Sequence, residues 1–166
     1  MSPTPPGADA SDTGSSDTGS SEGVPSTPPQ VPDSVDDELF RAAVEARTHS
    51  YSPYSGYRVG VALRTTDGSV FVGCNVENAA YPEGVCAEGG AISAMVVGST
   101  TTPVIETVVV VTEGETPGTP CGGCRQKIRE FAGPTTTISS CTLDGLTRAM
   151  SVEEILPASF GPDHLS

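Results

Sequence analysis

Cys121 and Cys124 frame two glycines in PCGGC, and upstream Cys86 stands two residues ahead of Glu88 in CAEGG. Thiols spaced C-x-x-C suit either a redox pair or half of a metal site. A thioredoxin-type pair follows the first strand of its domain, whereas this one comes after three predicted strands. Cys121 and Cys124 open a predicted helix, where both can point at one ion and the positive helix end favours thiolates. Cys86 opens a second predicted helix. Two such helix ends meeting would make a three-sulfur Zn²⁺ site with its fourth position open to water. The other thiols, Cys74 and Cys141, fall on predicted strands, and the two histidines, His49 and His164, lie near the ends of the folded region. The pattern therefore lacks a closing fourth ligand, and the expectation is a catalytic zinc site. Zinc lowers the pKa of a bound water toward roughly 7, and a carboxylate at Glu88 would take that proton and deliver it to a substrate. The competing role for Glu88 is an acid that complements the helix dipole.

Elements must bring those residues together, and the chain is long enough to supply them. Its 166 residues suit one domain with a hydrophobic core. With 21 acidic against 8 basic side chains, the net charge is −13 and the pI about 4.2. Such a surface repels phosphate backbones and anionic membranes, which excludes nucleic acid and lipid as natural partners. Lys127 is the only lysine, and an acidic, lysine-poor surface suits high salt. Residues 1–32 are Ser, Thr, Pro, Gly and Asp almost throughout, with too little apolar surface to order themselves. They are expected to form a disordered acidic tail, and 33–166 the folded domain. The start of the chain has neither the basic nor the apolar part of a secretory signal, and no run approaches the length of a membrane span. A cytoplasmic protein with reduced thiols is expected.

Within 33–50, apolar residues at Val35, Leu39, Phe40, Ala43 and Val44 follow the 3.6-residue period, after capping residues and early acids. YRVGVALRT and SVFVGCNVE read as strands joined at Asp67-Gly68, a hairpin signal. CAEGGAISAMVVGS reads as a helix despite its two glycines. The β-branched run VIETVVVVTE fits a strand buried on both faces. CGGCRQKIREFAG reads as a helix stopped at Gly133-Pro134, TTTISSCTL as a strand, and SVEEILP as a short helix with a Ser151/Glu154 capping box. Interleaved helices and strands imply an α/β sandwich.

The segments YSPYSGYRVGVAL, GCNVENAAYPEGVCAE, TPCGGCRQKIREF and VEEILPASFGPDHL resemble, in order and spacing, the small homotetrameric cytidine deaminases with three cysteine ligands. Cys-x-Glu followed by Pro-Cys-x-x-Cys is the zinc-deaminase signature. The resemblance covers 52–165. It implies a three-layer sandwich with a mixed five-stranded sheet between helices, and one Zn²⁺ per subunit on Cys86, Cys121 and Cys124. It further implies Glu88 as proton shuttle in the deamination of cytidine and 2′-deoxycytidine for pyrimidine salvage. Asn75 and Glu77 would bind the ribose, and Tyr57 would pack against the base. The Ala87 backbone, Phe160 from another subunit, and Ala79 and Tyr81 from neighbours would complete the contacts.

One position departs from that pattern. Many relatives carry arginine directly after the catalytic glutamate, where this chain has Gly89. Three thiolates leave a zinc site at a net −1, and Arg125, together with the two helix N-termini, is the expected compensation. Two other functions compete with nucleoside deamination: deamination of a different aminopyrimidine, such as a nucleoside antibiotic, and a zinc-stabilised interaction module worked by the acidic tail.

Overall fold

A computed structural model describes residues 30–165. The expected tail thus lies outside the described residues apart from 30–32, and these pack on the domain. Pro32 is buried, and the Gln30 amide donates to the Leu143 carbonyl at 3.2 Å.

The first helix, α1 (Asp37–Thr48), starts where Asp36 accepts from the Leu39 amide at 3.1 Å. Its Leu39, Phe40 and Ala43 are fully buried. Strands β1 (Gly60–Thr65) and β2 (Val70–Cys74) form the expected hairpin. Gly68 takes φ +86°, and Asp67 Oδ1 accepts from Thr65 Oγ1 and the Ser69 amide, which closes the turn. Helix α2 (Ala87–Gly98) follows, then β3 (Ile105–Thr112), helix α3 (Gly122–Phe131), β4 (Ala132–Thr142), β5 (Thr147–Ser151) and the short α4 (Val152–Ile155). The Ser151/Glu154 capping box is present in full.

The strands form one sheet in the order β2-β1-β3-β4-β5, parallel only between β3 and β4. Strand β3 lies at its centre. Val108 and Val110 point into one core with Ala91, Ile92 and Met95 of α2 and Ile128 of α3; Val109 and Val111 point into the other with Leu39 and Phe40 of α1. The run is β-branched because both of its faces are covered, and the molecule is the three-layer sandwich expected. Emptying the α1 side by Phe40→Ala would cost about 3–5 kcal/mol.

Two details differ from the expectation. Helix α3 ends at Phe131, and the chain is already extended from Ala132, pairing with Ile105, so Gly133-Pro134 lie in an irregular strand opening. Strand β5 has no apolar run to announce it; of its five residues only Thr147 and Met150 are even partly buried.

Two glycines set the helix-to-sheet distances. A Cβ at Gly60 would collide with the backbone of Ala43 and Arg47 in α1. One at Gly73 would collide with Ala87 O and Ala91 N in the first turns of α2. The hairpin therefore fixes where α2 begins. Among the described residues no helix is long and apolar enough to cross a membrane.

Candidate active site

Cys86 is the N-cap of α2 and Cys121 the N-cap of α3, and neither thiol caps its own helix. Both are free to turn outward, where the two helix N-termini meet. Their sulfurs lie 3.9 Å apart, and with the Cys124 sulfur all three fall within 4.8 Å of one another. Three sulfurs each about 2.3 Å from a tetrahedral zinc would be about 3.8 Å apart. The spacing, the all-thiol donor set and the positive helix ends fit Zn²⁺.

Glu88 sits in the first turn of α2 and is only 5 % exposed. The buried Cys124 thiol donates to Glu88 Oε2 at 3.2 Å. Burial and this neighbouring carboxylate push the Cys124 thiol well above its usual range, and burial also raises Cys86. For Cys121, burial is outweighed by the Cys124 backbone N–H and the two adjacent thiols, and the net shift is downward. The Cys86 and Cys124 thiols thus resist ionisation in the absence of a cation, which is the electrostatic demand a divalent ion meets.

A cavity of about 340 Å³ opens beside these groups, lined by Cys86, Ala87, Glu88 and Cys121 at one end and by Ser55, Tyr57, Asn75 and Glu77 at the other. Asn75 follows β2 directly. Its Oδ1 accepts from the Val59 amide at 2.8 Å and the Ser50 hydroxyl at 2.5 Å, and its Nδ2 donates to Tyr57 O at 2.8 Å. One Nδ2 hydrogen stays uncommitted. Glu77 Oε2 accepts from the Tyr54 and Ser55 amides at 2.8 and 3.2 Å, while Oε1 accepts from the Ser55 hydroxyl. These donors, the Ser55 hydroxyl foremost, hold the Glu77 carboxyl below the usual carboxylate range.

The other expected contacts are placed less closely. Tyr81, 76 % exposed, packs on the Tyr54 ring at 5.9 Å and lines an adjoining cavity of about 430 Å³ with Glu77 and Cys86. Ala79 is exposed and lines neither cavity. Phe160 is 57 % exposed, stacked on His164 and tied to α3 by Gln126, and it too lies outside both cavities. The Arg125 guanidinium donates to the carbonyls of Pro120 (2.7 Å) and Ile155 (3.0 Å) and to Thr119 Oγ1 (3.2 Å). It clamps the segment that leads into Cys121 and bonds none of the sulfurs. Sequence reasoning passed over Ser55 and Gly73. Both stood in recognised turn and strand segments, but their partners are far away in sequence.

A family model for the cytidine and deoxycytidylate deaminase zinc-binding region matches residues 17–117, which include Cys86 and Glu88 and stop short of the Cys121 pair. Cytidine deaminase of Sporosarcina psychrophila is 36% identical over 130 residues, spanning 78% of this chain and 94% of that protein. Cytidine deaminase of Mycobacterium tuberculosis is 35% identical over 136 residues, spanning 81% and 96%. The crystal structure of cytidine deaminase from Burkholderia pseudomallei superposes with a TM-score of 0.70 at 41% identity, covering 76% of this chain and 99% of that one.

Proposed function

The chain belongs to the cytidine and deoxycytidylate deaminase family, and on that premise we propose that it hydrolyses cytidine and 2′-deoxycytidine to the corresponding uridines and ammonia, with Zn²⁺ as cofactor, in pyrimidine salvage. The observation that carries this reading is the meeting of three sulfurs with a buried carboxylate at two helix N-termini, on the wall of a cavity large enough for a nucleoside.

Cys86, Cys121 and Cys124 would hold Zn²⁺, which when bound would supply Lewis-acid activation of a water at neutral pH. Glu88 is the base that takes a proton from that water. Oε2 already faces the Cys124 sulfur, so Oε1 is the oxygen free to move it, first to the ring nitrogen of the base and then to the departing amine. Water supplies the oxygen that replaces nitrogen at the ring carbon, the carbon–nitrogen bond breaks, and ammonia leaves. At the other end Asn75 has one donor to offer and Glu77 one lone pair on Oε1, so a sugar hydroxyl can accept from the first and donate to the second. Tyr57 lines the same wall as an aromatic surface for the base, and the Ala87 backbone lies beside the metal ligands.

The same reading takes residues 33–166 as the catalytic domain and the segment before it as a solvated extension. It places the protein in the cytoplasm, where five free thiols persist. It also makes the working form a homotetramer with shared active sites. Val96 and Val97 leave an apolar strip on the outside of α2, with Val97 88 % exposed, and Phe160 and Tyr81 are presented outward. Arg125, directly after Cys124, brings a positive charge beside the ligand set while it clamps the Cys121 segment, with no carboxylate partner of its own among the described residues.

The test is ultraviolet-monitored turnover of cytidine by zinc-loaded protein beside Glu88→Ala, with the mass in solution measured by light scattering. Conversion by the wild type alone, at tetramer mass, is expected. A zinc-replete tetramer that leaves cytidine untouched would overturn the reading.

A further inference from the structure

Glu77 is a half-buried carboxylate held on both of its oxygens. Two consecutive amides, Tyr54 and Ser55, point at Oε2, and the Ser55 hydroxyl points at Oε1. The hydroxyl is itself oriented: Ser55 Oγ accepts from the Tyr57 amide at 3.0 Å, so its single hydrogen is left to point at Glu77. The whole arrangement joins the turn 52–57 to the residues just after β2 and sits on the wall of the cavity that holds Cys86 and Glu88. A surface glutamate normally samples many rotamers, and fixing one loses entropy. Here three donors from two adjacent residues fix it, and they leave one acceptor site, on Oε1.

We infer that Ser55 is a positioning residue for substrate recognition: with the Tyr54 amide it clamps Glu77 so that one carboxylate oxygen is presented to a hydroxyl donor on the sugar. The inference rests on the nucleoside reading of the cavity and narrows it. The substrate must bring a donor at that point, and an analogue without it gains nothing from the clamp. The hydroxyl's contribution and the clamp's contribution are then one coupled quantity.

Steady-state kinetics of wild type, Ser55→Ala and Ser55→Thr on cytidine and 2′,3′-dideoxycytidine test this. Ser55→Ala should raise KM for cytidine about tenfold with kcat nearly unchanged, as loss of one hydrogen bond to a charged group predicts. Its effect on the dideoxynucleoside should be close to none, and Ser55→Thr, which keeps the hydroxyl, should restore most of the loss. The two monodeoxy analogues then identify which hydroxyl Glu77 receives. An equal penalty on both nucleosides, or a fall in kcat alone, would overturn the inference. The clamp has a readout of its own: the Tyr54 and Ser55 amides should exchange slowly in the wild type and quickly in Glu77→Ala. Equal exchange rates in the two proteins would remove the clamp. Slow exchange together with a zinc-loaded wild type inert toward cytidine would keep the clamp, sink the functional reading and end the sugar role.

Discussion

At one end of the cavity, three thiols and a carboxylate hang from the first turns of α2 and α3; at the other, Asn75 and Glu77 follow the end of β2 and are held by the turn 52–57. The first set is built on helices packed into the core, and Glu88 and Cys124 are buried. The second is half-buried and held largely by backbone donors and acceptors. A helix N-terminus gives a rigid platform and a positive potential, which bond-making chemistry needs. A turn gives directed N–H groups with little potential, which suits the placing of a hydroxyl. Changes at the reacting end should therefore appear in kcat and in zinc content, and changes at the sugar end in KM.

Removing the metal should have the largest effect on the reacting end. Zinc ties two helix N-termini that otherwise present a buried thiol to a buried carboxylate, so its binding energy is also folding energy. Chelation should abolish turnover and lower Tm by several degrees, and added zinc should restore both; differential scanning calorimetry beside the activity assay checks this. An unchanged Tm would mean that the metal contributes nothing to joining α2 and α3. Glu88→Gln comes next. It keeps the shape and removes the carboxylate proposed to carry the proton, so kcat should fall by about 100- to 10,000-fold with KM and zinc stoichiometry little changed. A loss confined to KM would place Glu88 among the binding groups and erase the distinction between the two ends.

Gly73→Ala acts on the reacting end from outside the cavity. The added methyl has no room against Ala87 O and Ala91 N, so the first turn of α2 must shift and carry Cys86 and Glu88 with it. Displacement of a catalytic group by a fraction of an ångström should lower kcat about 10- to 100-fold, with a smaller effect on KM. Stopped assays and a zinc titration on the purified variant measure both. If KM rose and kcat held, the hairpin would be positioning the sugar end instead.

These two ends were unequally legible in the sequence. The sulfur end is local: Cys-Ala-Glu and Cys-Gly-Gly-Cys carry their own spacing, and each opens a segment that reads as a helix, though only α3 shows an apolar period. Strand β3 announced itself through β-branched residues required on both faces. The sugar end depends on contacts between residues 16 to 25 positions apart, such as Val59 with Asn75 and Ser50 with Asn75. SPYSGY read as a turn, but nothing in those letters says that its serine reaches Glu77. Strand β5 escaped notice for a related reason: a largely exposed edge strand has little apolar pattern to show.

The smallest expected effect comes from the layer behind the sheet. Asp36 caps α1 and bonds Arg64 of β1, and the Arg64 bond holds its carboxyl below the usual value of 3.8 against the opposing effect of burial. A carboxyl depressed on folding contributes stability that is fully present above that usual value and is lost as pH falls through the folded one. Asparagine caps a helix nearly as well as aspartate, so Asp36→Asn removes the charge and keeps the cap. A partly exposed ion pair of this kind contributes about 0–1 kcal/mol. Urea titrations should show a deficit of that size at pH 7 that closes below pH 3.8. Turnover and KM at pH 7 should match the wild type, since α1 faces the core on the opposite side of the sheet from the cavity. A change in kcat instead would mean that the α1 layer reaches through the sheet to α2, and that the reacting end is positioned by both cores.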